Sequence, residues 1–293
     1  MTPAELALVL ASALLHAVWS VAIKGSRVPL VFNLLQKPGH LLLFAALLPW
    51  IHLGEIPAAV WRLLACTSLI HGLYFYWLSR AFTHGDLTLV YPIARSAPAF
   101  LPFVAAAFLG ERASLAGGLG IATVLAGMWL VQGGRGVDRA SLGGPAARFA
   151  YLTLAATVGY SLADKLGMAE LGASPWTSPV PRAVAYCVLL DLGSTAVFAP
   201  LALRRVGLAA VLGAGRRELG AATLAAWLSV LGYVLILKAL ETAPVSYVVT
   251  VRQSSVLFAL VLGVVWLREV PGRLRAIGGV ATVAGVALIA LWG

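Results

Sequence analysis

Arg95 and Arg252 lie within apolar stretches of this 293-residue sequence, where charged side chains are rare. A charge at the centre of a bilayer costs about 2.5–3.5 kcal/mol even on the lenient insertion scale, so each needs an explanation. Arg95 follows Tyr91 by one helical turn, which puts both side chains on one face. A guanidinium at this position could bind a carboxylate or phosphate as a bidentate donor. The alternative is a structural arginine that pairs with Asp164 or with backbone carbonyls.

Arg252 and Gln253 form a second polar group, near the C-terminal end of the sequence. We predict that Tyr91, Arg95, Arg252 and Gln253 bind substrate. For Arg252, pairing with another protein group is the open alternative.

A polar stripe runs along one further apolar segment, because Thr157, Tyr160, Ser161 and Asp164 recur at spacings of three and four. Side chains at this spacing share a helix face, and a polar face on an apolar helix is expected inside the protein. We predict that Tyr160 and Asp164 bind substrate and that Asp164 takes part in proton coupling. The alternative for Asp164 is a bridge to Lys165 or to an arginine.

Aromatic and histidine side chains could complete such a site. His16 and Trp19 share one helix face, and we predict that they form an amphipathic wall with Tyr74. Trp and Tyr are also common at membrane interfaces for reasons unrelated to ligands, which is the alternative. Asp191 stands alone in another apolar stretch; it is either a proton-coupling carboxylate or a protonated one that hydrogen-bonds a neighbouring helix.

The composition indicates that transmembrane helices position these residues. The chain is 61% hydrophobic and 11% charged, with a mean hydropathy of +0.93, whereas soluble domains carry about 25% charged residues. Runs of about 20 apolar residues span a bilayer as helices, so we predict an all-α integral membrane protein with ten transmembrane helices. The predicted spans are Pro3–Ile23, Leu30–Leu53, Ala58–Phe82, Leu87–Leu109, Leu115–Val131, Ala146–Lys165, Trp176–Leu203, Leu219–Leu240, Val245–Leu267 and Leu274–Trp292.

Several function classes fit the sequence poorly. The net charge of +10 comes from basic residues scattered between apolar runs, which indicates loops facing a membrane surface and no nucleic-acid partner. The two cysteines lie inside apolar runs without a CxxC motif, and the sequence has no HExxH, GxSxG or GxxxxGK[ST] motif. We therefore expect no metal, no cofactor and no enzymatic activity; an intramembrane enzyme is the remote alternative.

Prolines predict irregular helices. Pro38 interrupts the second span and Pro179 and Pro181 crowd the start of the seventh, so we predict that these two helices are broken or tilted. They occupy corresponding positions in the two halves of the chain, as moving parts do in transporters.

The two halves repeat each other. The segment 16–25 aligns with 157–166, Arg95-Ser96 with Gln253-Ser254, and Glu111 with Glu269. Each half holds five predicted spans, and an odd number inserts the second half upside down. We therefore predict two inverted five-helix repeats, at residues 1–134 and 145–293.

These residues resemble the drug/metabolite transporter superfamily, in the branch built from two EamA-type repeats. The resemblance rests on the Trp- and Lys-bearing first helix, on the segments 85–92 (GDLTLVYP) and 109–112 (LGER), and on Leu267-Arg268-Glu269 in the second copy. The second copy has Val249-Thr250 where Tyr91-Pro92 stand in the first.

The resemblance implies a ten-helix secondary transporter whose first, third, fourth, sixth, eighth and ninth helices enclose a central cavity. It also implies peripheral fifth and tenth helices, which some relatives use for homodimer contacts; close packing of these helices within one chain is the alternative. Two signals for the orientation in the membrane conflict. The excess of Lys and Arg in the connections on one side places both termini outside the cytoplasm, whereas the resemblance implies that both lie inside.

From these observations we predict a multi-pass transporter of the cell (inner) membrane, in contact with lipids. It would export a small amphipathic, amino-acid-like metabolite by alternating access. The alternative within transport is a flippase of a lipid-linked sugar.

Overall fold

A computed structural model describes residues 1–24, 28–85, 87–132, 142–267 and 272–293, and every regular element in these ranges is helical. The all-α prediction is therefore confirmed for the described part of the chain. Asp86, Arg268 and Glu269 of the proposed family motifs lie outside the described residues.

Twelve helices are described. They are α1 (Pro3–Lys24), α2 (Pro29–Leu47), α3 (Ala58–His84), α4 (Leu87–Ala94), α5 (Leu101–Leu109), α6 (Leu115–Gln132), α7 (Pro145–Ala173), α8 (Arg182–Val206), α9 (Leu208–Leu240), α10 (Val245–Arg252), α11 (Ser255–Leu267) and α12 (Arg273–Trp292). Short 3-10 turns cover Leu48–Trp50, Leu53–Glu55 and Ala97–Ala99.

The helices are apolar enough for a membrane. Within the described ranges, seven segments have the length and hydropathy to cross one, and two shorter apolar helices, Pro3–Trp19 and Leu115–Val131, accompany them. Large apolar side chains point outward, among them Phe103 and Phe108, each 77% exposed. Such a surface suits lipid and not water.

The helix breaks do not fall where the prolines predicted them. Helix α2 continues through Pro38, and Gly39 packs closely on Thr223 and Ala226 of α9. Helix α8 begins after Pro181, since proline is well tolerated at a helix start. Neither helix is broken at these prolines, so that part of the prediction is wrong, whereas the predicted tilt stays a prediction.

The breaks lie instead in the fourth and ninth predicted spans. The fourth is divided into α4 and α5 by the segment 95–100, and the ninth into α10 and α11 at Gln253 and Ser254. Arg95 and Gln253 therefore both stand at a helix end, where their side chains and nearby backbone can face a cavity.

Helix α6 lies along α12 through glycines. A Cβ on Gly127 would meet the Gly278 carbonyl oxygen at 2.6 Å, and one on Gly120 would meet the Gly285 oxygen at 2.9 Å. Close backbone approach of this kind requires glycine. The opposite face of α12 remains open, with Val280 72% exposed.

The remaining long helices surround the middle of the molecule. Helix α3 packs between α7 and α8, and α9 packs against α1 and α2. Glu111 lies in the connection between α5 and α6 and accepts a hydrogen bond from the backbone N–H of Val245 at 3.0 Å, at the start of α10. This carboxylate sits where the positive end of the α10 dipole favours it.

Candidate functional site

Two adjoining cavities lie among these helices, with about 440 Å³ and 710 Å³ of empty space, mouths included. Tyr74, Tyr160, Tyr233 and Arg252 line both, so the two spaces form one polar and aromatic region. Helices α1, α3, α4, α7, α9 and α10 contribute to the walls, as do α2 and α8. The resemblance implied that the first, third, fourth, sixth, eighth and ninth predicted spans enclose the cavity, and these spans contain the first six helices named here. It did not imply a contribution from α2 or α8.

Most of the residues proposed from the sequence meet here. The smaller cavity is lined by Tyr74, Arg95, Tyr160, Arg252 and Gln253. The larger one is lined by His16, Trp19, Tyr74, Tyr160, Asp191 and Arg252. Tyr91 and Asp164 are absent from both linings and contact residues that form the wall.

Arg95 contacts α1 and its own helix. Its Nη2 lies against His16 Nε2, and the Tyr91 hydroxyl is 3.4 Å away. The guanidinium carbon also lies 5.1 Å from the centre of the Tyr91 ring. Because a guanidinium only donates, His16 Nε2 must accept this contact and carry no proton. The structural alternative, a pair between Arg95 and Asp164, is not found.

Arg252 projects from the end of α10 over the Tyr233 ring, at 5.4 Å from the ring centre. Its Nε is buried without a hydrogen-bond partner among the described residues, and so are Gln253 Oε1 and Ser254 Oγ. Among the residues that the structure describes, no carboxylate oxygen lies within 4.0 Å of a charged nitrogen of Arg95 or Arg252. This wall therefore holds two cations and free polar atoms.

Asp164 is fully buried behind the wall. It accepts hydrogen bonds from the hydroxyls of Thr67 at 2.7 Å, Tyr186 at 3.2 Å and Tyr233. Lys165 points elsewhere and donates to two backbone carbonyls near the end of α9, so the proposed bridge between neighbours does not form. Asp164 fixes the orientation of Tyr233, which lines both cavities.

Asp191 has partners that the sequence reasoning missed. Its carboxylate lies 2.9 Å from Lys37 Nζ and 2.7 Å from His40 Nδ1, both on α2. All three residues are less than 10% exposed. The sequence did carry a signal for this pair: Lys37 and Asp191 are charged residues in two different apolar spans, and buried charges are expected to be paired.

The polar residues that hold Trp19 were not predicted from the sequence. Trp19 Nε1 donates to Gln36 Oε1 at 2.9 Å, Gln36 Nε2 donates to Asn33 Oδ1 at 2.9 Å, and Asn33 Nδ2 donates to Ser79 at 3.0 Å. This chain of bonds joins α1, α2 and α3 and holds the Trp19 indole at the cavity wall.

Outside the helices, Glu55 ties together two connections far apart in sequence. It accepts hydrogen bonds from the Thr177 hydroxyl, from the Thr177 N–H at 2.8 Å, from His52 and from the Ser178 N–H. These hydrogen bonds lower the pKa of Glu55 from its ordinary 4.5 to about 2. The bond from the Thr177 hydroxyl has the largest effect and the bond from the Thr177 N–H the next largest. The carboxylate is therefore charged at neutral pH.

Comparison with known proteins agrees with this architecture. Residues 182–291 match the model of the EamA-like transporter family. No curated protein matches the sequence significantly. A solved crystal structure matches over 99% of this chain and 98% of its own, with a TM-score of 0.77 and 18% sequence identity, which shows a shared fold.

The family resemblance drawn from the motifs is thus confirmed by an independent match in the C-terminal part, and the shared fold extends over nearly the whole chain. Multiple apolar helices make the chain a multi-pass membrane protein. Within it, residues 182–291 form a domain of the EamA-like transporter family.

Proposed function

We propose that this protein is a secondary transporter of the cell membrane that exports a small, amphipathic, amino-acid-like metabolite. One observation carries the proposal: Arg95 and Arg252 face a shared cavity without a carboxylate partner in the described part of the chain. A carboxylate on the solute would supply the missing partner as a charge-assisted, bidentate acceptor.

The rest of the wall supports an amphipathic solute. Tyr74, Tyr160 and Tyr233 line both cavities and Trp19 lines the larger one, so an apolar side chain would be enclosed by rings. Gln253 Oε1, buried and without a hydrogen-bond partner among the described residues, is an acceptor for an N–H group of the solute. We assign Asp164 to positioning Tyr233 and not to direct contact with the solute.

Alternating access of two inverted halves is the mechanism we propose, with residues 1–134 and 145–293 as the halves. The paired helix breaks support it: Arg95-Ser96 and Gln253-Ser254, aligned by the internal repeat, both fall where a predicted span is divided. Breaks at matched positions beside one cavity are typical of inverted-repeat transporters.

Hydrogen bonds between the halves support a closed gate. Besides the bonds of Glu55 to Thr177, the Thr242 hydroxyl donates to Glu5 at 2.6 Å, and the Ser114 hydroxyl donates to the carbonyl of Trp292 at 2.8 Å. If ten spans alternate in direction, the chain termini and these connections share one side of the membrane. We propose that this side is closed and opens when these bonds break.

Binding to the purified protein tests the proposal. A thermal-shift screen against amino acids, nucleosides and sugar phosphates should give hits among the amino acids. Arg252→Gln should weaken a hit at least tenfold, because a hydrogen bond to a charged group contributes about 1.5–3 kcal/mol. Arg204→Gln, at an exposed arginine of α8, is the matched control and should leave affinity unchanged.

Equal losses in both arginine variants would contradict the assignment of the cavity. Binding of a lipid-linked sugar without any binding of amino acids would favour the flippase in its place.

A further inference from the structure

Lys37, His40 and Asp191 form a buried group with one more basic side chain than its single carboxylate can neutralise. Lys37 Nζ contacts Asp191 Oδ1 at 2.9 Å, and His40 Nδ1 contacts Oδ2 at 2.7 Å. Lys37 is otherwise enclosed by the rings of Phe75 and Phe198, at 4.9 Å and 6.0 Å from their centres. The Lys37–Asp191 pair is neutral by itself, so a proton on His40 adds an uncompensated positive charge.

The surroundings of His40 satisfy both of its protonation states. An ionised carboxylate only accepts, so Nδ1 keeps its hydrogen beside Asp191. The other nitrogen, Nε2, lies 3.2 Å from the Ala226 carbonyl oxygen and 3.3 Å from the Ser229 hydroxyl. A protonated Nε2 donates to the carbonyl, whereas an unprotonated Nε2 accepts from the hydroxyl. His40 can therefore gain or lose a proton without leaving a buried nitrogen unpartnered.

The group is open to the solute space, because His40 and Asp191 both line the larger cavity. The other titratable side chains that face this space are His71 and Tyr74 on α3, Tyr160 on α7, Cys187 on α8, Tyr233 on α9, Arg252 on α10 and His16 on α1.

His16 and His71 are less suited to exchange a proton. Arg95 donates to His16 Nε2, so a proton at that nitrogen would face a cation. His71 donates from Nδ1 to the Thr67 carbonyl, and its Nε2 is 4.0 Å from Asp164, beyond hydrogen-bond distance. Of His40 and His71, it is His40 whose two ring nitrogens both have close partners.

We propose that His40, held by Asp191 and Lys37, is the proton-exchange site of the transporter, and that the ammonium group of a bound solute displaces its proton. This inference rests on the proposed function. With Lys37 beside one carboxylate oxygen, the other oxygen can accept a second cation, which is either the imidazolium or the solute ammonium. Two cations at one oxygen repel each other, so the two binding events oppose one another. Proton-driven export requires that proton binding and solute binding oppose each other in this way.

Three related probes separate the two ends of the solute: L-phenylalanine, 2-phenylethylamine, which lacks the carboxylate, and 3-phenylpropionate, which lacks the ammonium. Affinities are measured between pH 5.5 and 8.5 by calorimetry. For the two ammonium-bearing probes, we expect tighter binding as the pH rises, by up to tenfold per pH unit, the limit for one displaced proton. For 3-phenylpropionate we expect no such rise.

His40→Gln should abolish the pH dependence of the two ammonium-bearing probes, since glutamine can still donate to Asp191 but cannot take up a proton. His84→Gln, which removes an exposed histidine at the end of α3, should retain the dependence. A monodisperse size-exclusion profile of each variant shows that it is folded.

The outcomes distinguish the two claims. Wild-type protein that binds the probes with no pH dependence, or His40→Gln protein that keeps the wild-type dependence, would refute proton exchange at His40 and leave the transport proposal standing. Wild-type protein that binds none of the three probes at any pH would refute both.

Discussion

Removing the Asp191 carboxylate should destabilise the protein more than any loss of surface charge. In Asp191→Asn, the Lys37 ammonium stays buried, at 7% side-chain exposure, beside two phenylalanine rings and without a counter-charge. Breaking a buried ion pair from one side costs about 3–5 kcal/mol, because the remaining charge is desolvated and uncompensated. At about 1.4 kcal/mol per factor of ten, the unfolded fraction should rise at least a hundredfold.

The double variant Lys37→Met/Asp191→Asn tests whether the unpaired charge is the cause. Methionine fills a similar volume without a charge, so the double variant should recover more than half of the stability lost in Asp191→Asn. Reversible unfolding in mixed micelles measures the free energy of unfolding for each variant.

An exposed ion pair provides the control. Lys238 contacts Glu241 at 2.5 Å, but the lysine side chain is 57% exposed. Glu241→Gln should therefore change the free energy of unfolding by less than about 1 kcal/mol. If Asp191→Asn were no more destabilising than Glu241→Gln, or if the two substitutions of the double variant were simply additive, the account of the buried group would be wrong.

Two further predictions concern packing and the connections. Gly278→Ala should destabilise the protein by about 1–3 kcal/mol, because its Cβ would lie 2.6 Å from the Gly127 carbonyl oxygen. Gly118→Ala is the control: a Cβ at Gly118 meets nothing within 4 Å, so this variant should be neutral or stabilising. The same unfolding assay measures both. Since the folded-state pKa of Glu55 is below its ordinary 4.5, the stability it contributes is complete above that pH and lost as the pH falls toward about 2. Glu55→Gln should show less acid destabilisation than wild type between pH 5 and 2, and equal curves would contradict its role.

The course of the helices could be predicted because bilayer-length apolar runs are a strong and local signal. Their breaks could not. The prolines pointed to α2 and α8, but Pro38 is tolerated where α2 packs on α9, while the fourth and ninth predicted spans are divided beside the cavity. Where a helix breaks depends on the neighbouring helices that satisfy its free backbone groups, and a single sequence does not state those contacts.

The cavity residues were partly predictable for a related reason. A charge inside an apolar run is costly wherever the run packs, so Arg95, Arg252 and Asp191 stood out. Their partners did not, because pairing depends on which helices become neighbours. Thus Asp191 meets Lys37 and not a residue of its own span, and Asp164 meets three hydroxyls and not the adjacent lysine. The uncharged residue Gln36 gave no signal at all.

Reversible locking of the two halves tests the central claim of alternating access most directly. Cys66 and Cys187 are first replaced by alanine, and Glu55→Cys and Thr177→Cys are joined by a short, reducible thiol cross-linker. Counterflow of labelled L-phenylalanine in proteoliposomes is then measured for the cross-linked protein, the reduced protein and each single-cysteine control. Transport should stop when the two connections are joined and return on reduction, while the single-cysteine controls stay active. Undiminished counterflow in the cross-linked protein would contradict the account.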